Sequence, residues 1–119
     1  MSLDKTADCL FCRIARKEVP AKVLFEDDRV LAFEDIRPQA PAHVLVIPKA
    51  HIASLEDAPA GSEELLGACL VAARRAAREK GVDATGYRVV LNTGPDSGQV
   101  VFHVHFHVLG GRRLGWPPG

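Results

Sequence analysis

Two periodicities run through this chain. Between Ser62 and Lys80 apolar side chains recur every three or four residues, at Leu65, Leu66, Cys69, Leu70, Ala73, Ala76 and Ala77, which is the stripe of an amphipathic helix. Ser62 stands at the N-cap position, and Glu63 and Glu64 favour the positive end of the helix dipole. Arg74, Arg75, Arg78 and Lys80 gather at the carbonyl end, and Gly81 suits the residue just beyond it. Elsewhere the apolar runs are strand-sized. Val23–Glu26 and Arg29–Glu34, separated by Asp27-Asp28, predict a β-hairpin with an acidic turn. His43–Ile47, rich in β-branched residues and closed by Pro48, predicts a buried strand. Tyr87–Asn92 and Val101–Leu109 predict two more. The loop Thr93–Gly98 joins them, and its proline, aspartate and glycines predict a sharp turn with free backbone N–H groups. Leu10–Lys17 predicts a short helix with Phe11 and Ile14 on one face. These strands follow one another too closely for helical crossovers, so the sheet should be antiparallel and the class α+β, one domain over residues 1–119.

The last strand carries the chemistry. In His103-Val104-His105-Phe106-His107-Val108 the histidines alternate with apolar residues, so three imidazoles share one face while Val104, Phe106 and Val108 share the other. Same-face neighbours then stand roughly 7 Å apart. Histidine is scarce, and three consecutive same-face positions go beyond what a solvated strand face requires. Two chemistries fit the trio: a three-histidine metal site with an open position, or a nucleophilic and acid–base cluster acting on phosphate. The second is favoured by Asn92, Gly94, Gly98 and Gln99 just upstream, which offer donors for phosphate oxygens, and by the lack of a nearby carboxylate to orient a metal. A better metal pair lies elsewhere, in Cys9-Leu10-Phe11-Cys12, with His51 and one end of the histidine face as available partners.

Composition narrows the choice. Of 119 residues 47% are hydrophobic and 25% charged, an ordinary globular balance. Fifteen basic and fifteen acidic residues cancel with no basic stripe, which argues against non-specific nucleic-acid binding. No apolar run is long enough to span a membrane, and the first residues lack the pattern of a secretory signal. Three cysteines cannot form an even disulfide framework, so a reducing cytoplasm is expected.

The histidine run followed by Leu109 resembles the signature of the histidine triad superfamily. Gly98–Arg113 with the ending Trp116-Pro117-Pro118-Gly119 is similar to its nucleotide-binding branch, as are Ile14–Lys22, Phe25–Asp28, Ala32–Ile36, Pro38–Pro41 and Val46–Lys49 with His51. The resemblance implies a five-stranded, mainly antiparallel sheet with one long and one short helix, assembled as a two-fold homodimer. It implies hydrolysis at the α-phosphate of purine nucleoside phosphoramidates such as AMP linked to an amine. His105 matches the nucleophile, His107 the histidine contacting the phosphate, and His43 a further histidine near the site. Asp35 and Ile36 match the nucleoside-contacting segment, and Asn92, Gly98 and Gln99 the phosphate-contacting positions. Trp116 lies in a tail that contributes to specificity near the partner subunit's site. Members with the cysteine pair hold a structural zinc, and by that likeness its ligands are Cys9, Cys12, His51 and His103. Val100 departs from the pattern, standing where relatives often carry serine, so only its backbone N–H remains for the phosphate. The alternatives are a dinucleoside polyphosphate hydrolase and a zinc-stabilised nucleotide-binding module with little turnover.

Overall fold

The computed structural model describes residues 6–119. Five strands form one antiparallel sheet in the order β1-β2-β3-β5-β4: β1 Val23–Glu26, β2 Val30–Glu34, β3 Ala42–Pro48, β4 Tyr87–Leu91 and β5 Phe106–Gly110. Helix α1 spans Leu10–Ala15 and helix α2 Glu63–Glu79. The hairpin turn forms as its aspartates predict: the Asp27 carboxylate accepts the Arg29 and Val30 N–H groups at 2.8 and 2.9 Å, an Asx-type lock on the register.

β3 is buried along its whole length because both of its faces are covered. Ala42, Val44 and Val46 join Val30, Ala32, Phe106 and Val108 in a core packed under α2. Leu45 and Ile47 join Leu31 and Phe33 on the other face, under Phe11 and Ile14 of α1. The strict alternation of strand side chains therefore feeds two cores. α2 meets the sheet through Cys69, Ala72, Ala73, Ala76 and Ala77, small residues that let the helix lie close. Its C-terminus closes in a Schellman turn: Gly81, at φ 71°, donates to Arg78 O and Val82 donates to Ala77 O.

Four local expectations change. Leu70 belongs to the helical stripe by spacing but is 52% exposed, and Ala72 takes the buried place, because the apolar face is rotated toward the alanines. The Ser62 hydroxyl donates to Pro59 O instead of capping α2, since its backbone is already helical at φ −79°, ψ −3°. β5 starts at Phe106, not Val101. The preceding residues run without strand pairing, and there the Val104 N–H donates to Ile52 O, away from the sheet. The 93–98 loop winds into a 3-10 turn at Pro95–Ser97, so the Gly98 and Gln99 N–H groups are consumed internally, by Pro95 O and Gly94 O.

Candidate active site and metal centre

The histidine face is not a solvent face. His103 is 0% and His105 7% exposed, because α1 lies across them with the Phe11 ring edge-on to His105, centroids 5.0 Å apart. Alternation nonetheless holds through the irregular stretch: Val104, Phe106 and Val108 enter the core under α2. The three imidazoles stay on the opposite side, His105 and His107 4.9 Å apart by centroid.

Hydrogen-bond partners fix the proton of each ring. His103 Nε2–H donates to Pro48 O at 2.7 Å, so its Nδ1 carries a bare lone pair. His105 Nδ1–H donates to His103 O at 2.7 Å, which leaves Nε2 bare. His43 Nδ1 accepts the Gln39 N–H at 3.0 Å, so its proton sits on Nε2, 2.9 Å from His107 Nδ1. His43 Nε2–H donates there, and the His107 proton is placed on Nε2. Strand register brings that pair together: Leu45 faces His107 and His43 faces Leu109, so His43 and His107 are diagonal neighbours on one side of the sheet. Burial first, and then the neighbouring imidazoles His105 and His43, hold His107 down at about 4, while burial lowers His43 despite Asp35. Both are neutral near pH 7.

His43, His105 and His107 line part of a cavity of about 420 Å³ whose other walls are mostly apolar, including Ile14, Val19, Phe33 and Ile36, with Glu34, Asp35, Arg37 and Gln39 as further polar lining. Ile36 is 90% exposed at its mouth. Asp35 lies between the apolar wall and the histidines. One carboxylate oxygen accepts the Arg37 N–H at 2.8 Å and the other stands 3.4 Å from His43 Nε2. Val100, 82% exposed, is at the edge of this cavity, and its N–H has no partner among the described residues. Gln99 is a brace: its side chain accepts the Gly94 N–H and donates to Ala53 O and Val101 O. Asn92 lines a neighbouring cavity beside His107. Trp116 is 82% exposed and is not brought to the apolar cavity of its own subunit. It sits beneath the Arg88 guanidinium, 5.9 Å from the ring centre. The brace at Gln99 was beyond sequence reasoning, since nothing in the residue type distinguishes a loop staple from a phosphate donor.

Cys9, Cys12, His51 and His103 converge on one point, their ligand atoms all within 4.8 Å of one another. Cys12 Sγ stands 3.2 Å from His51 Nδ1 and 3.5 Å from His103 Nδ1, and Cys9 Sγ 3.3 Å from His103 Nδ1. A tetrahedral zinc with two thiolates and two imidazoles has ligand–ligand edges of roughly 3.3–3.8 Å, so the set fits. Burial and the Cys9 sulfur beside it push the Cys12 thiol up to about 11, a cost that a dication in the cluster would reverse. His103 also has the second partner a zinc-bound imidazole needs, a carbonyl for its other N–H. Asp35, His43 and His107 are equally close together but fail this test. His43 Nδ1 already accepts an N–H, so its proton belongs on Nε2, the atom a metal would need. Cys69 takes no part: it is buried under α2, where desolvation drives its thiol to about 12.

The HIT domain family model matches residues 16–114. A crystal structure of a HIT family hydrolase from Legionella pneumophila Philadelphia 1 is 52% identical, covering 94% of this chain and 100% of that one, with TM-score 0.91. A histidine triad nucleotide-binding protein from Candida albicans is 36% identical, over 92% of this chain and 83% of that one, with TM-score 0.79. A 14 kDa zinc-binding protein of Zea mays is 47% identical over 112 residues, 92% of this chain and 87% of its own. With the alternating histidines, the cysteine–histidine cluster and the sheet order all in place, the chain belongs to the HIT domain family.

Proposed function

We propose that this chain hydrolyses purine nucleoside phosphoramidates of the AMP–amine type at the α-phosphorus, through a nucleotidyl intermediate on His105. The observation that carries the reading is the tautomer of His105. Its Nδ1–H is tied to His103 O at 2.7 Å, so the neutral ring presents Nε2 as a lone pair at the end of a nucleoside-sized cavity. Apolar walls at Ile14 and Ile36 suit a purine, and Asp35 suits the ribose hydroxyls. The Candida albicans neighbour is named as nucleotide-binding and the Legionella neighbour as a hydrolase, which supports both halves of the proposal.

In the first step the His105 Nε2 lone pair forms a bond to phosphorus. The bond from phosphorus to the amine breaks and its electron pair stays on nitrogen, which enters protonated, departs as the neutral amine and accepts a hydrogen bond from the His107 Nε2–H as its lone pair is freed. His43 Nε2–H, hydrogen-bonded to His107 Nδ1, holds His107 in the donor tautomer. Water then attacks the same phosphorus, its proton passes to the released amine, the bond from phosphorus to His105 Nε2 breaks with its electron pair left on nitrogen, and AMP and the free ring are released. The equatorial oxygens are held by the Val100 N–H and by the carboxamide of Asn92 beside His107. Val100 gives no hydroxyl, so leaving-group assistance rests on His107 alone.

The four-ligand cluster supplies fixed charge and cross-linking when zinc is bound, with no open position for water, and the protein works as a homodimer in the cytoplasm, where its thiols stay reduced. The decisive experiment is His105→Ala with an AMP–amine substrate. Turnover should vanish while AMP affinity stays within roughly tenfold, and quenched wild-type protein should carry a nucleotidyl mass on this residue. Retained turnover without an adduct would refute it.

A further inference from the structure

The apolar cavity accounts for the nucleoside, but a phosphoramidate has another end. A second cavity, of about 300 Å³, opens on the far side of the His43–His107 pair and shares Gln39, His43 and His107 with the first. Its remaining wall comes from β4 and the C-terminal tail. Register places Arg88 opposite Leu109 and Val90 opposite His107, so alternation turns Arg88 and Val90 to the same side of the sheet as His107. Arg112 closes the opposite side. Among the described residues the lining therefore holds two guanidinium groups and no carboxylate.

Both arginines are tethered without being neutralised. Arg88 Nη2 donates to Gly115 O at 2.8 Å. Arg112 donates from Nη2 and Nε to Gln39 O at 3.0 and 3.3 Å, and from Nη1 to Arg113 O at 3.1 Å. Every one of these acceptors is a backbone carbonyl, and among the described residues neither arginine has a carboxylate partner, whereas Lys17, Lys49 and Lys80 each pair with a glutamate. A guanidinium offers five N–H donors, so each keeps donors to spare, held in place before any ligand arrives.

We propose that Arg88 and Arg112 form the anion-recognising wall of a leaving-group subsite, so that favoured substrates carry a carboxylate or phosphate on the group that departs from the α-phosphorus. This rests on the nucleotide reading of the first cavity. It adds a substrate class: acidic amines, such as an amino acid with its carboxylate free, or a further phosphate. His107, in the wall between the cavities, donates a hydrogen bond from its Nε2–H to the departing atom as the bond to phosphorus breaks, and the distant anion meets the arginines.

Calorimetry on the intact protein tests the subsite without turnover. The probes are 5′-O-sulfamoyl-adenosine acylated with succinate and the same compound as its methyl ester, which differ by one remote charge. ADP and AMP form a second pair for the phosphate source. Wild type should bind the member with the additional negative charge in at least one pair about tenfold tighter, the size of one charge-assisted hydrogen bond, and the ratio should shrink as salt rises. In Arg88→Gln/Arg112→Gln that ratio should fall toward one, and a ratio cancels any change common to both ligands. A carboxylate-only or phosphate-only response identifies the source. Equal affinity within both pairs in wild type would overturn the subsite alone, as would a preference that survives the double substitution. Failure of all four probes to bind would overturn the nucleotide reading with it.

Discussion

Removing the metal is the perturbation with the widest structural reach. Cys9 and Cys12 sit at the start and inside of α1, His51 follows β3, and His103 precedes β5, so one ion would fasten α1 to two stretches that already meet through β3–β5 pairing and the Val104 N–H to Ile52 O bond. α1 has only six residues, too few to be stable alone, and its outer end is held by the Cys12 N–H donating to Cys9 Sγ. A ligand that binds only the folded state stabilises by RT ln(1 + [L]/Kd), about 2.7 kcal/mol at a free zinc concentration 100-fold above Kd. With an unfolding entropy of about 2.1 cal/mol/K per residue, 119 residues give about 0.25 kcal/mol/K, so the melting temperature should drop by about 10 °C on metal removal. The assay is scanning calorimetry of protein with measured zinc content, before and after chelation and after zinc is returned. Cys12→Ser should melt with the chelated wild type and gain nothing from added zinc, while Cys69→Ala should still bind one zinc per chain. Some turnover should survive in whatever remains folded, because the His103 carbonyl that holds His105 belongs to the backbone. Purified protein with no zinc, or loaded and chelated forms that melt together, would refute the reasoning.

Acid should weaken the fold through buried neutral histidine. His107 is held down at about 4, below its ordinary 6.5, chiefly by burial, so between those values the unfolded chain binds a proton that the folded chain does not. Stability should therefore be level above pH 6.5 and fall steadily from 6.5 to about 4, and urea midpoints across that range should flatten in His107→Asn; an equal slope in the variant would exclude this ring as the cause. Assembly is read by sedimentation: α2 leaves Leu70 and Val71 more than half exposed and β4 is an unpaired sheet edge, so the 12.9 kDa chain should sediment at twice its mass, and a monomer at micromolar concentration would contradict the homodimer.

Periodicity made the architecture readable. Alternation in β2 and β3, and the alanine-rich spacing of α2, are direct consequences of which faces must be buried, and they survive even where hydrogen bonding lapses before Phe106. The long-range pairing of Cys9-x-x-Cys12 with His51 and His103 came from likeness to known chains, since spacing alone left the other ligands open. What composition and spacing do not encode is the direction of a polar side chain in a loop. Gln99 and the Gly98 N–H look like phosphate donors by type, yet the 3-10 turn at Pro95–Ser97 engages both and leaves the Val100 N–H without a partner among the described residues. Burial of the histidine face was equally hidden, because it depends on α1 folding across residues some ninety positions away, which the separations from Cys9 and Cys12 to His103 measure as 94 and 91.

Three chemically identical side chains in one run present three different ring edges because their hydrogen-bond partners decide where each proton sits. The Pro48 carbonyl claims the Nε2 proton of His103 and turns its Nδ1 toward two sulfurs. The His103 carbonyl claims the Nδ1 proton of His105 and leaves its Nε2 bare. The Gln39 N–H, acting through His43, reverses that arrangement at His107, whose proton is left on Nε2. One ring thus aims a lone pair at the two sulfurs, the next aims a lone pair toward the apolar cavity and the third presents an N–H, with no difference in residue type and no carboxylate needed to orient the first two. It follows that His103 bears on His105 from the main chain while its side chain serves the metal. A substitution such as His103→Ala removes a zinc ligand but keeps the carbonyl, whereas a change that shifts the backbone at His103 disturbs both sites together.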